Sequence, residues 1–432
     1  MHDLWADLES EQPSVSPQGP ALPRRLTEQA LLTSLRTWLV SAYMASYYRA
    51  LSANPLYRRC YWIDALGVAG RMKNDEAGGQ SGVVESPISD GKASGKKRRR
   101  QEAPPPLPPV LQPVATLGQA LREEGRTLAL SGIALEAGSS RRKDTRAPRE
   151  GGLSIPKEGG LVPASWLEAG PLVLQTLDQS PAIFLLTPFG QTLFSGDDLE
   201  PLCQRTPPTE LCLLIPHKQV EARLLASRRD PALAATLVSL LRSDRWKALV
   251  PANEKTAPQG AIESNVELLQ AALQRHFLSV QRIGIPLLQR PTVIEQAPYT
   301  LLFATRRQDS LLSMNDAVCL HRRELEEQSH QGVLGAEWFA TQLCERREEE
   351  QARLAARVLQ QGRTRRARRW PELRQQLLMA HFGRFTVEDY DAILRDLLRS
   401  GEVICHWLRP LNPDVEEEER IPGNEDTLTW RQ

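Results

Sequence analysis

The sequence predicts an α/β protein built on a mainly parallel sheet with helices on both faces, and three observations predict it. Short apolar or β-branched runs alternate with segments of helical periodicity, as repeated βα units require. The run Ala182-Ile183-Phe184-Leu185-Leu186 is apolar at every position, which is how a strand buried on both faces reads. The first run, Arg58–Asp64, passes at once into Gly67 and Gly70, so a strand ends in a tight loop on the side where such sheets take ligands.

Composition sets the limits. With 432 residues, 41% hydrophobic and 25% charged, the chain can bury a sizeable core without disulfides, and its length favours two or three domains. A net charge of +1 leaves no global field toward nucleic acid or membrane, so any such affinity has to come from local clusters. The cysteines Cys60, Cys203, Cys212, Cys319, Cys344 and Cys405 show no C-x-x-C and no histidine spacing that closes a zinc site. They read as reduced core residues of a cytoplasmic protein. The N-terminus, Met-His-Asp-Leu-Trp-Ala-Asp, lacks the order of a signal peptide, and no apolar run reaches the length of a membrane span.

Residues 1–24 read as a disordered polar tail, and an α/β domain is expected over 25–330. It opens with a helix from Thr27, with Leu31, Leu32, Leu35 and Leu39 on one stripe. The Gly/Ser-rich, Lys/Arg-rich and Pro-rich composition of residues 74–113 predicts a flexible insertion, and a second polar loop is expected over 141–160. Between and after these loops the pattern predicts helices at Leu117–Glu124, Trp166–Asp178, Leu233–Leu249, Asn265–Phe277 and Leu311–Glu327. Strands are expected at Thr127–Leu135, Ala182–Leu186, Thr209–Ile215 and Tyr299–Thr305.

The last third changes character. Residues 331–369 predict a charged helical arm ending in the basic cluster Arg363, Arg365, Arg366, Arg368 and Arg369. Residues 370–412 read helix, helix, strand: Leu373–His381, then Thr386–Ser400 opened by a capping box, then Gly401–Leu408. That is a winged-helix-like outline, followed by an acidic tail over 413–432 expected to be disordered.

Four stretches, taken in order, resemble the three-Cys-motif partner protein family. They are Tyr61–Arg71; Ser86-Pro87-Ile88; Ile183–Gly190 with Asp197-Asp198-Leu199; and Tyr299–Arg306 with Met314-Asn315-Asp316-Ala317. The resemblance spans roughly residues 26–400 and implies a Rossmann-like, class I methyltransferase-type domain with a C-terminal winged helix. It further implies S-adenosylmethionine as cofactor, held at Asp64, Gly67, Gly70 and Arg71, and a protein partner carrying a three-cysteine motif. Thr187, Pro188, Phe189 and Gly190 stand where the family has a catalytic Asp-Pro-Phe-Gly-like loop, and Asp316 is a second candidate for the same cleft.

Two positions depart from the family pattern. Val68 stands where the first glycine of a Gly-x-Gly is expected, and a β-branched residue resists positive φ there. Thr187 replaces an aspartate, keeping a hydroxyl but bringing no negative charge. Two readings from different classes therefore stay open. One is a methyltransferase-like protein, degenerate at these points, acting with a partner and on nucleic acid. The other is a non-catalytic scaffold that kept the fold and docks through the basic cluster and the winged helix. The acidic residues Glu388, Asp389, Asp391 and Asp396 on the second helix favour protein docking over phosphate contact there. Asp197 and Asp198 read as helix caps, Arg306 and Arg307 as an exposed basic pair, and His217 follows a strand end within reach of the cleft.

Overall fold

The computed structural model describes residues 28–67, 108–136, 153–190, 192–249, 259–284, 287–289, 292–294, 299–330, 335–364, 367–408 and 420–431. The chain begins with α1 (Glu28–Trp38), a π-helical turn (Leu39–Met44) and α2 (Ala45–Ser52), then enters β1 (Arg59–Asp64). A 3₁₀ turn at Pro109–Leu111 leads into α3 (Gln112–Glu123), β2 (Ala129–Leu135), β3 (Gly160–Val162), α4 (Trp166–Leu177) and β4 (Ala182–Leu186). Next come α5 (Gly196–Gln204), β5 (Thr209–Pro216), α6 (His217–Ser227), α7 (Pro231–Leu241), α8 (Trp246–Leu249) and α9 (Gln259–Leu273). The domain closes with β6 (Ser279–Gly284), the small ribbon β7 (Leu287–Gln289) and β8 (Thr292–Ile294), β9 (Tyr299–Thr305) and α10 (Gln308–His330).

Seven strands form one sheet in the order β3-β2-β1-β4-β5-β9-β6. The pairs from β3 to β5 are parallel, while β9 runs antiparallel to both β5 and β6. The expected α/β class with a mainly parallel sheet is therefore what forms. Its strands read as unbroken apolar runs because both faces are buried. Phe184, Leu211, Leu213 and Leu302 belong to one core. Their strand neighbours Ile183, Leu185, Cys212 and Phe303 belong to the other.

Several expectations need correction. The helix expected over Leu233–Leu249 is two, because Arg242 closes α7 in a left-handed conformation with φ 50°. The insertion expected to run to residue 113 ends earlier, since Leu111 is buried and α3 starts at Gln112. The loop expected to run to residue 160 also ends in ordered chain: Gly159, at φ 96°, lies so close to the Gly132 backbone that a Cβ would stand 2.4 Å from its carbonyl oxygen. Of the cysteines read as core residues, Cys344 is exposed and Cys405 half-buried.

The C-terminal module consists of α11 (Ala336–Arg363), β10 (Ala367–Arg368), α12 (Trp370–Ala380), α13 (Val387–Arg399), β11 (Val403–His406) and β12 (Thr427–Trp430). Its three strands pair antiparallel in the order β10-β12-β11. Far from being a loose acidic tail, the segment after residue 419 supplies the central strand, with Leu428 and Trp430 buried. Inside the module the Trp370 indole N–H and the Arg374 guanidinium both donate to the Asp391 carboxylate, at 2.6 and 2.7 Å. Its core also takes in Leu311 of α10, so the module shares apolar surface with the large domain. Among the described residues, no helix is long and apolar enough to cross a membrane. The expected segments 1–24, 74–107, 141–152 and 409–419 lie outside the described residues.

Candidate functional site: a cleft at the carboxyl ends of the strands

A parallel sheet turns the carboxyl ends of its strands to one side, and the strand order reverses between β1 and β4, which is where such folds open a ligand crevice. A cleft of about 300 Å³ lies there. Ala65, Leu66 and Gly67 follow β1, Leu135 ends β2, and Ser165, Trp166 and Leu167 begin α4. Thr187, Gly190, Thr192 and Phe194 follow β4, and Leu214, Pro216, Gln219 and Tyr299 complete the far wall. Leu32 of α1 closes it from the helical layer. No charged residue is among the described lining residues.

Local chemistry holds each wall in place. Gly67 sits at φ 75°, and no atom of the described residues lies within 4 Å of a would-be Cβ. Ser165 and Glu168 form a capping box at the start of α4, the Ser165 N–H donating to Glu168 at 2.8 Å. Ser195 and Asp198 do the same for α5, with a 2.6 Å bond, so Asp198 caps a helix as its position predicts. The loop after β4 folds back on itself: the Phe194 N–H donates to the Pro188 carbonyl at 2.9 Å, and Arg223 of α6 donates to the Gly190 carbonyl at 2.8 Å.

Two polar atoms in this cleft are conspicuous for having no partner. Thr187 Oγ1 and Gln219 Oε1 are shielded from solvent and accept or donate no hydrogen bond among the described residues. Buried polar atoms are almost always paired, because leaving one bare costs about 1–3 kcal/mol. Both atoms sit in the wall of one cleft, within reach of whatever fills it.

The expected site residues divide. Thr187, Gly190 and Gly67 line the cleft; Pro188 and Phe189 are buried in the turn that carries it. Asp64 is elsewhere. Its carboxylate is 2% exposed and turned to the α1 layer, where the Arg36 guanidinium donates to it at 2.5 and 3.1 Å; the Leu66 N–H donates to it as well. Asp64 thus fastens the loop from behind rather than facing a ligand. Asp316 is also remote from the cleft: its carboxylate accepts the Val387 N–H of α13 at 2.8 Å, and burial raises its pKa. Asn315 beside it accepts the Gly383 N–H and donates to the Phe385 carbonyl, so Met314-Asn315-Asp316-Ala317 is a clasp between α10 and the α12–α13 turn. Val68, Gly70, Arg71 and Ser86-Pro87-Ile88 lie outside the described residues.

Arg306 and Arg307 are not an idle basic pair. Arg306 donates to the carbonyls of Cys203, Arg205 and His276, closing the ends of α5 and α9, and Arg307 pairs with Asp309. His217 donates or accepts at Thr300 Oγ1, 2.8 Å away, and burial together with Arg282 lowers its pKa; it does not line the cleft. The basic cluster is partly spoken for, since Arg363 pairs with Glu402 and donates to the Arg431 carbonyl. Arg369 is exposed, 4.0 Å from Glu372. Arg368 lies in β10, and Arg365 and Arg366 are outside the described residues. On α13, Asp389 pairs with Arg323, Asp391 with Arg374, Glu388 with Arg395 and Asp396 with Arg399, so its acidic residues are internally neutralised.

Sequence reasoning missed two residues. Glu136 is half-buried directly after β2, where dinucleotide folds carry an acidic side chain, but it is not among the described residues that line the cleft. Gln219 sits in the first turn of α6 and carried no motif at all. Comparison with protein-family models, with curated proteins and with solved structures finds no match to this chain.

Proposed function

We propose that the protein is a methyltransferase-like member of the three-Cys-motif partner type, whose cleft binds S-adenosylmethionine and whose C-terminal module docks a protein partner. The strand order supports the fold half of this reading: it follows the doubly wound order 3-2-1-4-5, then adds a reversed strand between the last two, as a class I methyltransferase-type sheet does. The observation that carries the ligand half is the cleft itself, at the switch point, with Gly67 at positive φ in its wall after β1.

The residues present fit the nucleoside end of such a cofactor. Gly67 sits at positive φ in the wall, where backbone can approach a ligand, and Trp166 and Leu135 offer apolar walls. When bound, the cofactor supplies an electrophilic methyl group. The Thr187 hydroxyl accepts a hydrogen bond from the group to be modified and orients it, and the uncharged, apolar walls exclude water. Among the described residues no carboxylate lines the cleft to stabilise a developing cation, so transfer rests on positioning.

The element order helix, strand, helix, helix, strand, strand supports reading the module as winged-helix-like, with α13 in the place of a groove-reading helix. Its N-terminal turn is held on α10 through Asp316 and Arg323, which takes the reading end out of reach of a groove and favours a protein partner over nucleic acid.

The second reading, a scaffold without catalysis, has one observation in its favour: Arg36 occupies the Asp64 carboxylate expected to serve the cofactor. Calorimetry with S-adenosylmethionine decides between them. Micromolar binding that is lost in Gly67→Val, a change that forces a β-branched residue to φ 75°, is the expected result. No heat at millimolar ligand leaves the scaffold standing. Asp64→Ala is the wrong probe, because it strands Arg36 as a buried charge.

A further inference from the structure

The cleft divides by the strands that feed it. Residues after β1, β2 and β3 make one half, with Gly67, Leu135 and Trp166; residues after β4 and β5 make the other, with Thr187, Phe194, Pro216 and Gln219. If the cofactor takes the first half, the second faces whatever is modified. Both partnerless atoms belong to this second half, on consecutive strand ends.

We infer that Thr187 and Gln219 form a paired reader for an uncharged planar group that presents a hydrogen-bond donor beside an acceptor: a carboxamide or an amino-substituted heteroaromatic edge. This deepens the methyltransferase-like reading and rests on it for the division of the cleft. A hydroxyl and a carboxamide can each meet a neutral donor–acceptor edge, but neither neutralises a full charge. No lysine, arginine, aspartate or glutamate lines the cleft among the described residues. The neighbouring cation, Arg223, is turned to the Gly190 carbonyl, and the Arg36–Asp64 pair is closed on itself behind the loop. In this second half a phosphate, carboxylate or ammonium would lose hydration and find no counter-charge among the described lining residues. A flat neutral group instead finds the rings of Phe194 and Tyr299 in the walls and satisfies two bare atoms.

The test titrates the full chain, saturated with S-adenosylhomocysteine, with two sets of probes by calorimetry and ligand-observed NMR. Nicotinamide, cytosine and adenine form the neutral set; nicotinate, benzoate and inorganic phosphate form the charged set. The inference expects at least one neutral probe to bind and the charged set to bind at least tenfold more weakly. Thr187→Val and Gln219→Leu should each weaken the neutral probe about tenfold or more, the worth of one buried hydrogen bond, while S-adenosylhomocysteine binding is unchanged. Thr187→Val preserves shape and removes only a partnerless hydroxyl, so the variant folds. Equal binding by a charged probe, indifference to both substitutions, or no neutral binding in protein that does bind S-adenosylhomocysteine would overturn it. If S-adenosylhomocysteine itself fails to bind, the cofactor assignment falls alone. The neutral and charged sets, compared without it, still decide this inference by the same criteria.

Discussion

Glu210 shows how far a single side chain can depart from its ordinary chemistry. It lies on β5, 0% exposed, facing Tyr43 of the π-helical turn, Tyr47 of α2, and Ser310, Arg307 and Asp309 at the start of α10. Ser310 donates to Glu210 Oε1 at 3.0 Å, and the Thr305 hydroxyl also favours the charged carboxylate, but neither offsets the burial. Burial pushes its pKa from 4.5 up to about 8. Between those values the folded protein holds a proton that the unfolded chain has released, so stability falls as pH rises from about 4.5 to about 8 and levels off above. The slope reaches about 1.4 kcal/mol per pH unit. Glu210→Gln keeps the shape and the Ser310 bond. Urea unfolding across pH 5 to about 9 should show this slope in the wild type and lose it in the variant; an unchanged slope refutes the assignment. Arg36 and Asp64 illustrate the opposite solution, a buried charge retained because its partner is locked onto it.

Among the elements, α10 does most to join the two halves of the molecule. Its N-terminal half packs on the sheet through Met314 and Val318. From the same turns Asn315 reaches both the Gly383 N–H, at 2.9 Å, and the Phe385 carbonyl, at 2.8 Å. Gly383 itself needs φ 73°, and its Cα lies so near Val318 that a Cβ would meet that side chain at 2.7 Å. The clasp is therefore polar, buried and sterically tight. Asn315→Ala strips partners from a buried N–H and a buried carbonyl, and should destabilise the protein by about 2–4 kcal/mol in chemical denaturation. A loss under about 0.5 kcal/mol would mean that the clasp is not what holds the turn.

For the whole molecule, shared core makes a prediction about cooperativity. Leu311 of α10 is packed with Leu354, Trp370, Leu394 and Leu428 of the C-terminal module, while Met314 one turn later belongs to the sheet's core. Two bodies that draw on one helix should melt together. Calorimetry is expected to show one transition, and a chain ending after residue 335, which bares Leu311, should be insoluble or melt well below the full protein. Two separated transitions would show that the module is thermodynamically independent.

What the sequence determined by itself was the alternation of elements and the character of the sheet, because apolar runs such as Ala182–Leu186 carry the mark of two-sided burial in every residue. It also placed the β4 loop in the cleft, since a strand that stops at Thr187-Pro188 must turn at its carboxyl end. Other assignments depended on contacts far apart in the chain. Asp64 and Arg36 are 28 residues apart, and Asp316 meets Val387 across 71, so no local pattern told a fastening carboxylate from a ligand-binding one. Gln219 gained its meaning only when β4 and β5 paired and brought it to the wall that carries Thr187. The reversed β9 and the return of Thr427–Trp430 to a sheet are likewise decided by pairing partners, because a strand's direction and neighbours are set by where the chain can close its hydrogen bonds.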